Sequence, residues 1–325
     1  TEKGISRYSG VQFKKYDLET IISEESNGIL DILNLNGDLF MISPSGSLIK
    51  YMYENDTFKE LLYVKKKRFL SIAKLNNHKV LIGLSSGFIV YNINTEKASE
   101  VHFAKSFINR KIVIQNNNIY VATPRGCFFY TFNNENNTLE FTKKILENSD
   151  VLDIALDSEK RLWVGTELDG LYIVNNAIIN KVTIDEFSEK TYAIRKIKFD
   201  AKNNALLAID RLGLFVINNK LQVVQTFSHS VDDYNSISQN SIYEIFVDDY
   251  NAYWLGLREG GINIIYQKNN IFNKVAHILN NSNSINNNNI RSVFETKNGD
   301  LWFGTEDGIS KFSNQKWTNY NKNSR

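Results

Sequence analysis

One unit returns seven times along the 325 residues, and that repetition constrains the fold before any single residue does. Its clearest copies are LWVGTELDGLYIV (Leu162–Val174), YWLGLREGGINII (Tyr253–Ile265) and LWFGTEDGISKF (Leu301–Phe312). Each reads as a short strand ending in Gly-Thr or a close variant, a turn closed by glycine, and a second strand. The small residue of the first of these strands fixes the phase at Ile42, Gly83, Ala122, Gly165, Ala208, Gly256 and Gly304, spaced 39–48 residues apart. A period of that length holding four short strands is the signature of a propeller blade.

Upstream of each copy lies one more apolar stretch: ILDILNL, FLSIAKL, KIVIQ, DIALD, IRKIKFD, IYEIFVD and IRSVFET. These alternate or run as β-branched and aromatic residues, without the three- and four-residue spacing of helical repeats. The chain is therefore expected to be all-β, a seven-bladed β-propeller of four-stranded antiparallel blades in a single domain, residues 1–325. Blades are placed near 28–63, 68–103, 107–145, 151–185, 193–227, 241–277 and 290–320. The innermost strands, A, are placed near 29–35, 69–75, 111–115, 151–157, 193–199, 241–248 and 290–296, with no helix longer than two turns.

Asn36-Gly37 and Asn298-Gly299 supply the positive φ of two-residue turns between strands A and B. The run Asp157-Ser158-Glu159-Lys160 reads as a hairpin turn of the same kind; it lacks the sixth-position glycine and twelfth-position Glu of a calcium loop. Trp163, Trp254 and Trp302 head strand B in register and read as core. The small residue two positions later lets the backbone of a neighbouring blade approach. At the two ends GISRYSGVQFKKY (Gly4–Tyr16) copies GISKFSNQKWTNY (Gly308–Tyr320). The expected closure pairs Val11–Tyr16 with Gly308–Ser313, so that strand 11–16 seals the ring and Lys316–Tyr320 leaves it. Thr1 falls inside a repeat, as expected of a piece cut from a longer polypeptide.

Net charge is +2, which supplies no global field for nucleic acid. No apolar stretch reaches membrane-spanning length. Cys127 is the one cysteine, so no internal disulfide forms. His78, His102, His229 and His277 show no metal-ligand spacing, and neither metal nor cofactor is expected. The prolines, Pro44 and Pro124, fall in turns between strands B and C, where a missing N–H is harmless. The basic run Lys65–Arg68 reads as a solvated connection between blades, with contact to an anionic ligand as the alternative.

The unit I-x-x-[IV]-x-x-D/E, then L-W-x-G-T, then G-[LI]-x-x-[FY], resembles the two-component-regulator propeller repeat. The connections HSVDDYNSISQNSIYEIFVDD (His229–Asp249) and NNSNSINNNNIRSVFET (Asn280–Thr296) resemble that family's lead-in to strand A. Phe40 and Val80 stand where Trp is expected, and Thr123 precedes Pro124, so blades one to three are assigned by phase. The resemblance implies the extracytoplasmic, periplasmic sensor region of a membrane-anchored bacterial hybrid two-component system of the Bacteroidetes type. It implies an oligosaccharide ligand, non-enzymatic signal transduction, and partners among the neighbouring domains of a parent receptor, with a homodimer as one form. Two other classes stay open: a protein–protein scaffold, and a propeller glycan lyase or hydrolase using paired loop carboxylates.

In a propeller the B–C and D–A connections gather at one end of the blades. Candidate ligand-binding residues there are Arg125, Arg211 and Arg258 on B–C loops, with Glu167 and Glu306. The starts of strand A add Tyr192, Arg195, Tyr243 and Arg291. Arginine forks bind carboxylate or sulfate bidentately, which favours an acidic glycan. The alternative is that these arginines pair with loop acids and only fix the loops. Nothing in the sequence nominates a catalytic residue.

Overall fold

The computed structural model describes residues 4–18, 21–23, 28–101, 108–175, 178–184, 192–233, 235–267 and 275–321. Among them every regular element is a β-strand. After a two-stranded hairpin of β1 (Ile5–Tyr8) and β2 (Phe13–Tyr16), seven sheets follow in chain order. Six have four strands in the order A-B-C-D, and the sixth sheet has three described strands; its expected strand D falls mostly outside the described residues. Strands A run Asp31–Leu35, Phe69–Lys74, Lys111–Gln115, Val151–Leu156, Ile194–Phe199, Ile242–Val247 and Ile290–Glu295, where the alternation placed them. The residues fall into two compact units, 1–210 with 215–224, and 211–214 with 225–325.

Within the first unit period-2 patterning sends each strand to two cores at once. Phe40, Ile42 and Leu48 of blade one pack with Phe69, Ile72, Val80, Ile82 and Tyr91 of blade two. Their neighbours Met41, Ile49 and Tyr51 face the other way, onto Leu18, Ile22, Ile5 and Tyr16. Strands A are bonded blade to blade by side chains: Ile72 N–H donates to Asp31 Oδ2 at 3.2 Å, and Ile197 N–H to Asp153 Oδ2 at 2.8 Å. A carboxylate thus replaces the ladder that adjacent sheets cannot share.

Trp163 is buried, and its Nε1–H donates to Asp157 Oδ2 at 2.9 Å. Asp157 also takes the Arg161 amide at 2.9 Å and its Nε–H at 2.7 Å. The acidic run is therefore a hairpin turn whose carboxylate serves the core tryptophan. Asp248 repeats the device for the Trp254 Nε1–H at 2.8 Å. Gly165 shows why the residue after next must be small: a Cβ there would lie 2.8 Å from the Ile194 carbonyl oxygen of blade five.

The strand pairing expected for the two ends differs from the pairing observed. Gly308–Ser313 pairs with strands B and D of its own blade, and β2 pairs with β1, Ile5 opposite Tyr16 and Tyr8 opposite Phe13. Lys316–Tyr320 stays on blade seven as strand D, Ser313 opposite Lys316. The reason is local. Asn314 and Gln315 both adopt positive φ, 50° and 61°, the two-residue turn whose twist matches a hairpin. Closing a two-residue turn costs far less chain entropy than joining the two ends of the chain.

Asp56 clamps the N-terminal hairpin to blade one. Its carboxylate accepts Arg7 Nη1–H at 2.9 Å, Tyr16 O–H at 2.5 Å, and short bonds from Lys14 Nζ and Tyr51 O–H. The Lys14 ammonium first, then the two tyrosine hydroxyls, hold its pKa well below the usual carboxylate range. A depressed folded-state pKa stabilises above the unfolded value and is lost as pH falls through the folded one. Protection of the Ile5–Tyr8 amides, taken relative to the intrinsic exchange rate at each pH, should therefore fall in acid, and Asp56→Asn should show that lower protection already at neutral pH. Unchanged exchange in Asp56→Asn would remove Asp56 as the clamp.

Candidate functional site

The B–C loops are built from short-range bonds. Thr166, last in strand B of blade four, donates Oγ1–H to the Gly170 carbonyl at 2.8 Å and accepts the Asp169 amide at 2.9 Å. Thr123 does the same with Gly126 and Arg125, at 2.8 and 3.1 Å, and Thr305 with Gly308 and Asp307, at 3.1 and 3.2 Å. Each hydroxyl closes its loop without using any side chain at the tip. The loops are then tied to the lead-in of strand A. Glu167 N–H donates to Asp150 O, Asp210 to Ala193, Arg258 to Ser241 and Glu306 to Asn289, at 2.9–3.2 Å.

Strand A opens with a bulge in five blades. The register slips between Phe69 and Ser71, Val151 and Asp153, Ile194 and Lys196, Ile242 and Glu244, and Ile290 and Ser292. The extra residues are Leu70, Leu152, Arg195, Tyr243 and Arg291, at the end of each blade where the B–C loop closes. A bulge leaves one residue unpaired and re-aims its side chain. Three of the five are candidates named from the sequence.

In the first unit Arg195 Nε–H donates to Asp210 Oδ1 at 3.0 Å, and Arg110 Nη2–H to Asp150 Oδ2 at 2.9 Å. In the second unit Arg291 pairs closely with Glu306, and Asn289 Nδ2–H reaches the other carboxylate oxygen of Glu306 at 2.8 Å. The structure thus brings Arg291 and Glu306 together, and gives Arg195 a loop acid as the pairing alternative foresaw. Tyr243 is exposed and Tyr192 half-buried. Glu167 is half-buried on its loop. Arg125, Arg211 and Arg258 sit exposed at loop tips; Arg125 and Arg258 contribute their amides to the turns, and Arg211 takes a φ of 65°. Arg125 belongs to the first unit, Arg211 and Arg258 to the second. In the basic run, Lys67 pairs with Glu100 at 3.5 Å and Lys65, Lys66 and Arg68 are exposed.

Arg110, Asp150, Asp210 and Asn289 were missed by sequence reasoning because they lie outside the strand and glycine positions of the repeat. Their available signal was column position: Arg110 and Asp150 immediately precede a strand A. The histidines of the long connections are structural. His277 N–H donates to Asn288 Oδ1 at 2.7 Å and its Nδ1 meets Ile285 O at 2.8 Å. His229 repeats both contacts with Asn240 and Ile237, at 2.6 and 2.9 Å. His102 lies outside the described residues. Burial pushes the Cys127 thiol up to about 12, which keeps it protonated and unreactive. No group of three or more His, Cys, Asp or Glu able to hold a metal occurs among the described residues.

Residues 145–167 and 284–307 match the family model described as two component regulator propeller. The chain carries the two-component-regulator propeller repeat. Both matched stretches run from the lead-in through strands A and B, and take in Asp150, Trp163 and Glu167 in one and Asn289, Arg291 and Glu306 in the other. No curated protein matches the sequence. Among solved structures, the extracellular domain of the putative hybrid two component system BT3049 from B. thetaiotaomicron is similar, with 20% identity and a TM-score of 0.69 over 99% of this chain and 45% of that one. The extracellular domain of BT4673 from the same organism, termed a putative one component system, gives 18% identity and 0.66 over 98% and 50%. PorZ of Porphyromonas gingivalis, a surface component of the type-IX secretion system, gives 15% and 0.61 over 79% and 42%. The present chain spans about half the length of the first two. At these identities the likeness establishes the fold, a β-propeller of four-stranded antiparallel blades carrying this repeat. No helix among the described residues is long and apolar enough to cross a membrane.

Proposed function

We propose that the chain is a sensor module of a bacterial two-component regulator, periplasmic in a membrane-anchored receptor, that binds an oligosaccharide without transforming it. Within each unit by itself, the proposed contacts lie at the end of the blades where strand A begins. The observation that carries this reading is the recurrent bulge, which spends a ladder position in five blades to re-aim Arg195, Tyr243, Arg291 and their equivalents. Repeated loss of regular pairing at one end of every such blade is a cost to stability, and bulges of this kind accompany binding sites.

The chemistry presented there suits hydroxyl groups. Arg195 with Asp210 and Arg291 with Glu306 place fixed N–H donors beside carboxylate acceptors, and a sugar hydroxyl both gives and takes a hydrogen bond. Exposed Tyr243 offers a ring face for the apolar side of a pyranose. Arg125, Arg211 and Arg258, at the loop tips, add selectivity for uronic or sulfated sugars. The similar BT3049 and BT4673 domains, extracellular parts of putative two component and one component systems, support the sensor setting.

Calorimetry against a panel of neutral and acidic oligosaccharides tests the reading. Each Arg–ligand contact is worth roughly 1.5–3 kcal/mol, so Arg195→Ala or Arg291→Ala should weaken binding by about one to two decades. Arg211→Ala should narrow the gap between acidic and neutral ligands. A panel without a binder, or affinities untouched by all three changes, would sink the proposal.

A further inference from the structure

Two long connections of the second unit, residues 229–241 before blade six and 277–289 before blade seven, are bonded alike. The second repeats the first 48 positions on. Beyond the histidine bonds at the head of each, Ser236 Oγ–H donates to Asp233 O at 2.7 Å and Ser284 Oγ–H to Asn281 O at 2.9 Å. The Asn235 and Asn283 amides donate to the side chains of Asp233 and Asn281, at 2.8 and 2.9 Å. Ile237 and Ile285 are buried. Joining two blades does not require such an arm, since residues 146–150 suffice between blades three and four.

Each arm is fastened to strand C of the blade it leads into, and the two fastenings use the same residue types in exchanged places. In blade six the arm supplies the serine. Ser238 N–H donates to Asn263 Oδ1 at 2.8 Å, and the Ser238 hydroxyl lies 3.0 Å from the same oxygen. In blade seven the arm supplies the asparagine. Asn286 N–H donates to Ser310 Oγ at 3.1 Å, and the Asn286 side-chain amide meets that hydroxyl at 2.7 Å. Asn263 and Ser310 hold equivalent places, opposite Leu255 and Phe303 in the middle of strand B. A hydroxyl and a carboxamide can satisfy each other whichever side each comes from. The pair is kept although the loop between Leu257 and Ile262 is longer than that between Thr305 and Gly308.

Five residues beyond the latch stands the bulged residue, Tyr243 in one blade and Arg291 in the other. On the way the carbonyls of Ser241 and Asn289 accept the loop amides of Arg258 and Glu306. The chain thus enters strand A held by strand C on one side and by the B–C loop on the other. We infer that Ser238 with Asn263, and Asn286 with Ser310, are positioning residues that fix how Tyr243 and Arg291 are presented. The inference rests on the sugar-binding reading for the purpose of that presentation, not for the latch itself.

Amide exchange and backbone resonances of the intact 325-residue protein, recorded without ligand, test it in blade six. Asn263→Ala should lower protection of the Arg258 amide about tenfold, as expected for the loss of one hydrogen bond, and should shift the Tyr243 resonances. Ser238→Asn combined with Asn263→Ser rebuilds the blade-seven pair and should return both toward wild type. Residues 277–289 should keep wild-type protection throughout. Unmoved Tyr243 resonances in Asn263→Ala overturn the inference, and so does an exchanged pair no better than Asn263→Ser alone. Loss of protection that spreads to residues 277–289 also overturns it, because the change would then be one of general packing. An oligosaccharide panel without a binder sinks the sugar reading alone; exchange and resonances still decide the positioning.

Discussion

Trp163→Ala is expected to cost about 3–5 kcal/mol of stability, as for a fully buried large aromatic. The indole does three things at once. It fills the interior of blade four, packs edge-on against Phe199 of blade five at 5.5 Å, and donates to Asp157. Trp163→Phe separates these roles by keeping most of the volume and deleting the donor; a loss of roughly 1–3 kcal/mol is expected from the unpaired bond. Burial alone would raise the Asp157 pKa, but the bonds from Trp163 and Arg161 outweigh it and hold the group below its ordinary value. Its contribution is thus present above the unfolded carboxylate pKa and lost as pH falls through the folded one. Urea unfolding of wild type and Trp163→Phe should differ at neutral pH and converge in acid. A constant difference from pH 7 to pH 3 would dissociate the indole from the carboxylate.

Gly165→Val is expected to cost about 3 kcal/mol, at the upper end for an overpacked core, because the obstacle is backbone. A Cβ at Gly165 meets Ile194 O at 2.8 Å and Ile194 Cγ2 at 2.9 Å. Blade three carries Ala122 in the same column, fully buried in one cluster with Val151 and Ile154. Gly165→Ala should therefore be damaging even though alanine is native one blade earlier. Ile194 directly precedes the bulged Arg195, so the displacement should also disturb the Arg195–Asp210 pair. A melting temperature for Gly165→Ala equal to wild type would show that the blades do not approach here as closely as the glycine demands.

Strand placement was legible because period-2 alternation and the glycine turn act within a dozen residues. The Trp–Asp pairing was half legible: the tryptophan column announced a core, whereas the acid six residues earlier looked like turn chemistry alone. The ends misled for a definite reason. Val11–Tyr16 does resemble Lys316–Tyr320, but each copy makes its own hairpin, and similarity between two strands says nothing about which competes for an edge. At the site, residue type pointed to Arg195, Tyr243 and Arg291. The bulge that distinguishes them is a one-residue slip in register, invisible until both strands of the pair are placed. The pairing of Arg195 and Arg291 with loop acids was legible as an alternative, but Asp210, which lies just before its loop, was not singled out.

The threonine clamp has a consequence for how such a chain changes over time. Thr123, Thr166 and Thr305 hold their loops through the hydroxyl and the main chain, and Arg125, Leu168 and Asp307 at the tips lend only amides or nothing to the turn. Shape and recognition are therefore encoded by different letters of the same short segment. Tip residues such as Arg125 and Leu168 can be exchanged while the scaffold stays fixed, whereas Glu306 and Asp307 also hold Arg291, Asn289 and Asn287 through their carboxylates. A combinatorial library confined to residues 125 and 168 would explore new specificities on one unchanging backbone.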